Sequence, residues 1–298
     1  MIELLVKWIQ SLRIRVVFTA CVCVAVVIPM GAQESRLNIE SESVEPFQIF
    51  DNVYYIGTSW VSCYAVDTGD RLVLIDALYG GFPQLAMKHL KQLGLGDRKV
   101  KYVLASHGHW DHAGGAAFFQ KELGAVIGMT KADWSLARES AVGVRSAFFT
   151  GGVPLHDLVI EDGDVLEVGN TTFRCFVTPG HTEGVLSLAF DVRDGERTHR
   201  AFVFGGVGLN FQGVERTRSY LKSVDRIRTL AESKPVIDVS LSNHPVVARI
   251  LERERALKNR GAGDPHPFVD AIGFLNDLKG FRQAAERKLQ EELAGARP

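Results

Sequence analysis

Cysteine is scarce in this 298-residue chain: there are four, and Cys21 and Cys23 fall in an apolar N-terminal stretch. The remaining two, Cys63 and Cys175, sit inside apolar strand-like runs, so the sequence predicts buried free thiols and no disulfide framework. Neither sign of charge dominates, with 34 Lys and Arg against 35 Asp and Glu. That balance implies no basic surface of the kind phosphate neutralisation requires, so no nucleic acid partner is expected. The apolar run over residues 16–28 is shorter than the ~20 residues a membrane-crossing helix needs. Lys7, Arg13 and Arg15 precede it and Pro29-Met-Gly-Ala32 follows, the pattern of a secretory leader. The expectation is a leader over residues 1–32, cleaved near Ala32, leaving no stable membrane anchor and placing the product in a periplasm or outside the cell. Loss of Lys7, Arg13, Arg15 and Glu3 takes the formal charge from −1 to −3. No low-complexity segment interrupts residues 33–298, which are expected to form one domain and a monomer.

What the chain does have is His107-Gly-His109-Trp-Asp111-His112, three imidazoles and a carboxylate within six positions. An apolar run over residues 100–106 precedes the motif and a helix-like run over residues 113–123 follows, so it lies on a strand-to-helix turn, where α/β proteins place chemistry. Nitrogen and carboxylate donors without thiolate suit Zn²⁺, although Mn²⁺ or Fe²⁺ accept the same set. His107 and His109 can point from extended chain toward one ion, and Asp111 and His112, at the bend, toward a second. Further ligands must come from elsewhere, and His181 and His244 each follow a strand-like run.

Hairpin signals dominate residues 52–76, with Thr68-Gly-Asp70 as a turn. A helix over residues 83–93 stops at Gly94, a strand over 125–128 and a helix near 131–138 follow the motif, and residues 143–152 read as an open loop. The second half repeats the theme with strands at 164–168, 172–178, 186–192 and 201–204, a helix at 216–232, a strand running to His244, and helices at 246–259 and 269–293. His89, His156, His199 (in a hairpin turn) and His266 read as surface or packing residues. The basic runs 249–260 and 282–288 read as solvated helix faces.

HGHWDHAGG at 107–115, TPGHTEG at 178–184 and SNHP at 242–245, in that order and spacing, resemble the metallo-β-lactamase superfamily. Ile56-Gly-Thr58, Leu74-Ile-Asp76, Gly80-Gly-Phe-Pro83, Asp162-Gly-Asp164, Gly205-Gly206 and Pro267-Phe-Val-Asp270 make subclass B3 the nearest resemblance, over about residues 44–293. The resemblance implies a four-layer αββα sandwich of mixed α and β structure. It also implies two Zn²⁺ per chain, one held by His107, His109 and His181, the other by Asp111, His112 and His244. Thioesterase-like and lactonase-like members carry a bridging aspartate where this chain has Val207, and flavodiiron-type members replace the second motif histidine, retained here as His109, with glutamate. Gly108, Trp110 and Leu188 depart from the subclass pattern, and Gly208 and Leu209 lack a hydroxyl for a substrate carboxylate.

The expected activity is opening of the β-lactam ring of a small-molecule antibiotic. A water shared by two cations loses its proton near neutral pH and attacks the amide carbonyl, while Asp111 orients it or relays its proton. Trp60, Phe148, Phe149 and Asn210 are candidate substrate contacts. The alternatives are hydrolysis of a lactone or thioester on the same scaffold, and metal binding without turnover.

Overall fold

The computed structural model describes residue 39 and residues 41–295. The leader expected over residues 1–32 lies outside the described residues.

Strand alternation explains the architecture. In β4 (Leu72–Ile75), Leu72 and Leu74 enter one apolar cluster while Val73 and Ile75 enter another. In β11 (Arg197–Phe204), Ala201 and Val203 face that second cluster while Phe202 and Phe204 join a third. Side chains two apart share a face, so each central strand is apolar on both sides and must be covered twice. Three apolar layers therefore separate four layers of structure.

The first sheet has seven strands in chain order: β1 (Phe47–Phe50), β2 (Val53–Tyr55), β3 (Tyr64–Asp67), β4, β5 (Val100–Leu104), β6 (Val126–Met129) and β7 (Leu158–Val159). Pairing is antiparallel up to β4 and parallel from β4 to β7. The second sheet has the order β12-β11-β10-β9-β8, with β8 (Val165–Val168), β9 (Thr171–Val177), β10 (Leu186–Asp194) and β12 (Val239–Ser242). Its pairs are antiparallel except β11 with β12. Helices α1 (Phe82–Gln92), α3 (Ala116–Leu123) and α4 (Lys131–Val142) cover the outer face of the first sheet through residues such as Phe82, Phe119 and Trp134. Helices α5 (Val214–Glu232) and α7 (Ala271–Gly295) cover the second through Tyr220, Ile227, Phe274 and Leu278. This is the expected αββα sandwich.

Local expectations held for most elements and missed in instructive places. The helix read over residues 113–123 is two: α2 (Trp110–Ala113) takes in half of the histidine motif, and α3 restarts after Gly114-Gly115. The helix read from residue 246 begins later, as α6 (Ile250–Lys258), because Pro245 to Arg249 form turns in which Ile250 N–H donates to Pro245 O and Arg249 takes φ 52°. The loop over 143–152 contains a short 3-10 turn, Ser146–Phe148. His199 lies within β11 and not in the hairpin turn. The basic run 249–260 is not a solvated face throughout. Arg253 is 7 % exposed, and Arg249 and Arg260 make two-pronged pairs with Asp277 and Asp194. A planar guanidinium matches a carboxylate in a way a string of charges does not reveal. Cys63 and Cys175 are buried and free, as read. No helix among the described residues is long and apolar enough to cross a membrane.

The parallel pairs β4–β5 and β11–β12 bring their carboxyl ends, together with that of β9, to one edge of the sandwich, where Asp76, Ser106, Gly205 and Asn243 begin the loops. Open sheets bind ligands beyond such carboxyl ends.

Candidate metal centre

Five imidazoles converge at this edge, and four of them are pinned by Nδ1. His107 Nδ1 lies 2.9 Å from Gly205 O, His181 Nδ1 3.0 Å from Gly208 O, and His244 Nδ1 2.7 Å from Trp60 O. His112 Nδ1 lies 2.9 Å from Asp76 Oδ2. A ring whose Nδ1–H donates to oxygen carries its lone pair on Nε2, so each contact fixes both the tautomer and the aim of the ring. Asp76 stands one residue past β4 at φ 68°, a backbone state that a short polar side chain tolerates. From there Oδ1 accepts from Ser106 N–H at 2.6 Å while Oδ2 holds His112.

The free nitrogens face one another. His109 Nδ1 lies 3.0 Å from His181 Nε2, and the buried Nε2 of His107 has no hydrogen-bond partner. Ligating atoms of His107, His109 and His181 lie within 4.8 Å of one another. On the other side, His112 Nε2 is 3.3 Å from both His244 Nε2 and Asp111 Oδ2, and His244 Nε2 is 3.9 Å from Asp111 Oδ2. The edge of a tetrahedron of donors about 2.0–2.1 Å from zinc is roughly 3.3 Å. Lone pairs aimed at lone pairs at this spacing repel, and a cation between them turns the repulsion into coordination. The donor set, the spacing and the orphaned His107 Nε2 therefore fit two adjacent metal positions, and the His107 and His112 rings stand 4.3 Å apart between them.

Burial favours neutral rings where a metal needs lone pairs. It depresses the pKa of His107, His109, His181 and His244, with His181 brought down to about 4. His112 is the exception: burial opposes its charge, but Asp111 and Asp76 on either side raise it. Burial likewise opposes the Asp111 carboxylate, and His112 overrides it and holds the group well below the usual carboxylate range. Cation binding replaces the His112 proton as the counter-charge between those two carboxylates.

Glycine at 205 is a packing requirement: a Cβ there would stand 2.0 Å from Leu186 O. Its carbonyl is thereby free to meet His107 Nδ1 and also Asn243 Nδ2 at 2.8 Å. Gly208 is similarly tight, with Asn210 Oδ1 at 2.7 Å from a Cβ position and His181 Nδ1 at 3.2 Å. A hydroxyl-bearing side chain at 208 would therefore press on Asn210 and on the His181 ring.

The centre opens into a cleft of ≈ 460 Å³ walled by Trp60, Trp110, Val207, Asn210 and Arg145. Trp60 and Trp110 contact each other at 5.6 Å, and Trp110 rests on Phe148 at 4.3 Å. The Arg145 guanidinium stands over Trp110 and Phe148, 5.4 and 5.9 Å from the ring centroids, and makes no ion pair among the described residues. A larger hollow of ≈ 670 Å³ beside Pro179 and Gly213 contains none of the converging ligand atoms. Of the four candidate substrate contacts, Trp60 and Asn210 line the cleft. Phe148 instead supports Trp110, and Phe149 turns inward, 6 % exposed in the first core cluster. Sequence reasoning passed over Arg145 and Asp133, and quoted Asp76 and Asn243 only as parts of motifs. An acid directly after an apolar strand was the available signal for Asp76.

Residues 58–194 match the metallo-beta-lactamase superfamily model. This is a metallo-beta-lactamase-fold protein. BJP-1, a subclass B3 metallo-beta-lactamase of Bradyrhizobium japonicum, superposes with a TM-score of 0.75 at 24 % identity, covering 86 % of this chain and 97 % of that one. The native FEZ-1 metallo-beta-lactamase from Legionella gormanii gives 0.75 at 23 %, covering 84 % and 97 %. By sequence, the chain is 34 % identical over 94 residues to an Aquifex aeolicus protein, spanning 31 % of this chain and less than half, 44 %, of that protein's length. It is 28 % identical over 222 residues to the mitochondrial persulfide dioxygenase of Homo sapiens, covering 72 % of this chain and 78 % of that protein. It is 25 % identical over 194 residues to the hydroxyacylglutathione hydrolase of Methylococcus capsulatus, covering 60 % and 68 %.

Proposed function

We propose that the chain is a dizinc hydrolase that opens β-lactam rings in the manner of subclass B3, exported by its N-terminal segment and acting as a single domain over residues 33–298. The observation that carries this reading is the three-plus-three donor arrangement, His107, His109 and His181 beside Asp111, His112 and His244, with apolar Val207 in the cleft where a bridging carboxylate would serve a thioesterase-like centre. Bound there, zinc supplies Lewis acidity that polarises a carbonyl and brings the pKa of a water ligand toward about 7.

The chain's own groups do the rest. Asp111, held ionised beside His112 and facing the cleft, orients the attacking water and accepts a proton at Oδ. Trp60 and Trp110 present apolar faces that exclude competing water. Arg145 supplies a cation at the rim, in place of the hydroxyl missing at 208 and 209, for a substrate carboxylate.

Hydrolysis of a chromogenic cephalosporin, abolished by chelation and restored by Zn²⁺, tests the reading. Arg145→Gln is expected to raise KM roughly 10-fold, about 1.4 kcal/mol, with kcat unchanged. A protein that binds two zinc ions yet leaves cephalosporins, penicillins and carbapenems intact would overturn the proposal. A second reading, thioester hydrolysis, is favoured by the similarity to hydroxyacylglutathione hydrolase. Turnover of an acylglutathione without lactam turnover would select it.

A further inference from the structure

The three histidines of the first metal position come from two loops, with His109 and His181 72 positions apart along the chain. A side chain from outside both loops joins them. Asp133, in the first turn of α4, is 1 % exposed. Its Oδ1 accepts from Gly108 N–H at 3.0 Å, the peptide between His107 and His109. Its Oδ2 accepts from Thr182 Oγ1 at 3.0 Å, on the residue after His181, and from Thr130 Oγ1 at 3.3 Å, on the N-cap of its own helix. We propose that Asp133 is a positioning residue that sets the first metal position by bridging the two loops which deliver its histidines.

Three further contacts bear on the proposal. A Cβ at position 108 would stand 2.3 Å from Asp133 O, 2.8 Å from Ala137 N and 3.0 Å from Leu136 Cβ, so glycine there lets α4 approach the motif closely enough for the carboxylate to reach its backbone. That accounts for one of the departures from the subclass pattern. A Cβ at position 184 would likewise stand 2.0 Å from Thr130 Oγ1 and 2.8 Å from Asp133 Oδ2, so the second loop is packed against the same helix start. Arg216 on α5 also grips the second loop, with Nε donating to Gly180 O at 2.8 Å and Nη2 to His181 O at 2.6 Å. The loop that carries His181 is thus held by a carboxylate on one helix, through Thr182, and by a guanidinium on another, through Gly180 and His181. Asp133 makes no hydrogen bond to Asp111, His112 or His244 among the described residues, so its effect is expected to be larger at the first site than at the second. Groups that orient metal ligands in this way commonly change metal affinity 10–100-fold when removed.

The inference rests on reading the three histidines as a metal site, and its test separates the two. Zinc is titrated into the full-length metal-free protein against a chromogenic chelator, and Co²⁺ is titrated in parallel with its visible spectrum recorded. Asp133→Ala is expected to weaken the first-position ion 10–100-fold and alter that site's Co²⁺ bands, leaving the second position within about 3-fold. Asp133→Asn, which keeps an acceptor for Gly108 N–H and a polar partner for Thr182, is expected to restore most of the affinity. Thr182→Val removes one arm of the bridge and covers the case in which Asp133→Ala does not fold; a several-fold loss confined to the same ion is expected. Wild-type affinities and spectra in folded Asp133→Ala, or in Thr182→Val, would overturn the bridging role, as would equal weakening of both ions. Wild-type protein that binds no metal would overturn instead the reading on which it stands.

Discussion

Two groups of histidines sit at opposite ends of β11, and what their second nitrogen does separates them. Near the β10–β11 hairpin, His266 stacks on Phe50 at 4.0 Å. Its Nε2 meets Ile49 O at 2.9 Å and its Nδ1 accepts from Phe268 N–H at 3.2 Å, so both nitrogens are spent on backbone. Its neighbour His199 pairs through Nδ1 with Asp238 at 2.6 Å. At the Gly205 end, one nitrogen of each pinned ring is fixed by an oxygen; the other meets a nitrogen or carboxylate of another ligand in His112, His181 and His244 and has no hydrogen-bond partner in His107. Both groups contain buried rings, and burial lowers the pKa of His266 as it does that of His181. A buried neutral histidine is therefore no mark of a metal centre. The mark is a donor nitrogen left over once the hydrogen bonds are counted, aimed at another such nitrogen.

Breaking the contrast at the metal end has the largest expected effect. Asp111→Asn preserves volume but removes the charge facing His112 and His244, so turnover falls more than about 100-fold, beyond what loss of an outer-layer partner produces. Circular dichroism should remain unchanged, and retained turnover would remove Asp111 from its role. Asp76→Asn weakens the pin on His112 without touching a ligand atom. Zinc affinity at the second position is expected to fall about 10–100-fold with the first little changed, measured by the same chelator competition. His181→Ala should lower bound metal by one ion per chain by elemental analysis; retention of both would show that another residue takes its place.

The smallest effect comes from the other end. Burial holds the folded-state pKa of His266 below 6.5, with Asp194 opposing and Arg260 and His199 assisting. The neutral ring's stabilisation is thus fully present above the unfolded-state value and is lost as pH falls through it. His266→Gln is expected to cost about 1 kcal/mol at pH 7.5 and less at pH 5.5, by denaturant titration of the zinc-loaded protein. A cost that grows on acidification would reverse the sign and place a charged ring in the fold.

Much of the fold was legible because its strands alternate or run fully apolar, as Leu72 to Ile75 do, and because Gly94 stops a helix where expected. The chain misled where local signals were neutral. Nothing in residues 246–249 announces turns instead of helix, and Phe148 and Phe149 are equivalent as letters, yet one stacks on Trp110 while the other fills the core. The convergence of His107, His109, Asp111 and His112 was readable, since four donors within six positions must lie close together. Asp133 was not, because an acid three residues after Thr130 reads as an ordinary helix start and its second role exists only across the fold.

By itself the sequence determined which donors are available, that thiolates are not among them, and the periodicities that force two doubly covered sheets. Only the tertiary structure decided which nitrogens stay free, how the His181 and His244 loops meet the motif, and that Asp133 and Arg216 both hold the His181 loop. Spacing along the chain governs contacts within one turn of helix or one strand end, whereas contacts across 72 residues are set by the packing of whole layers.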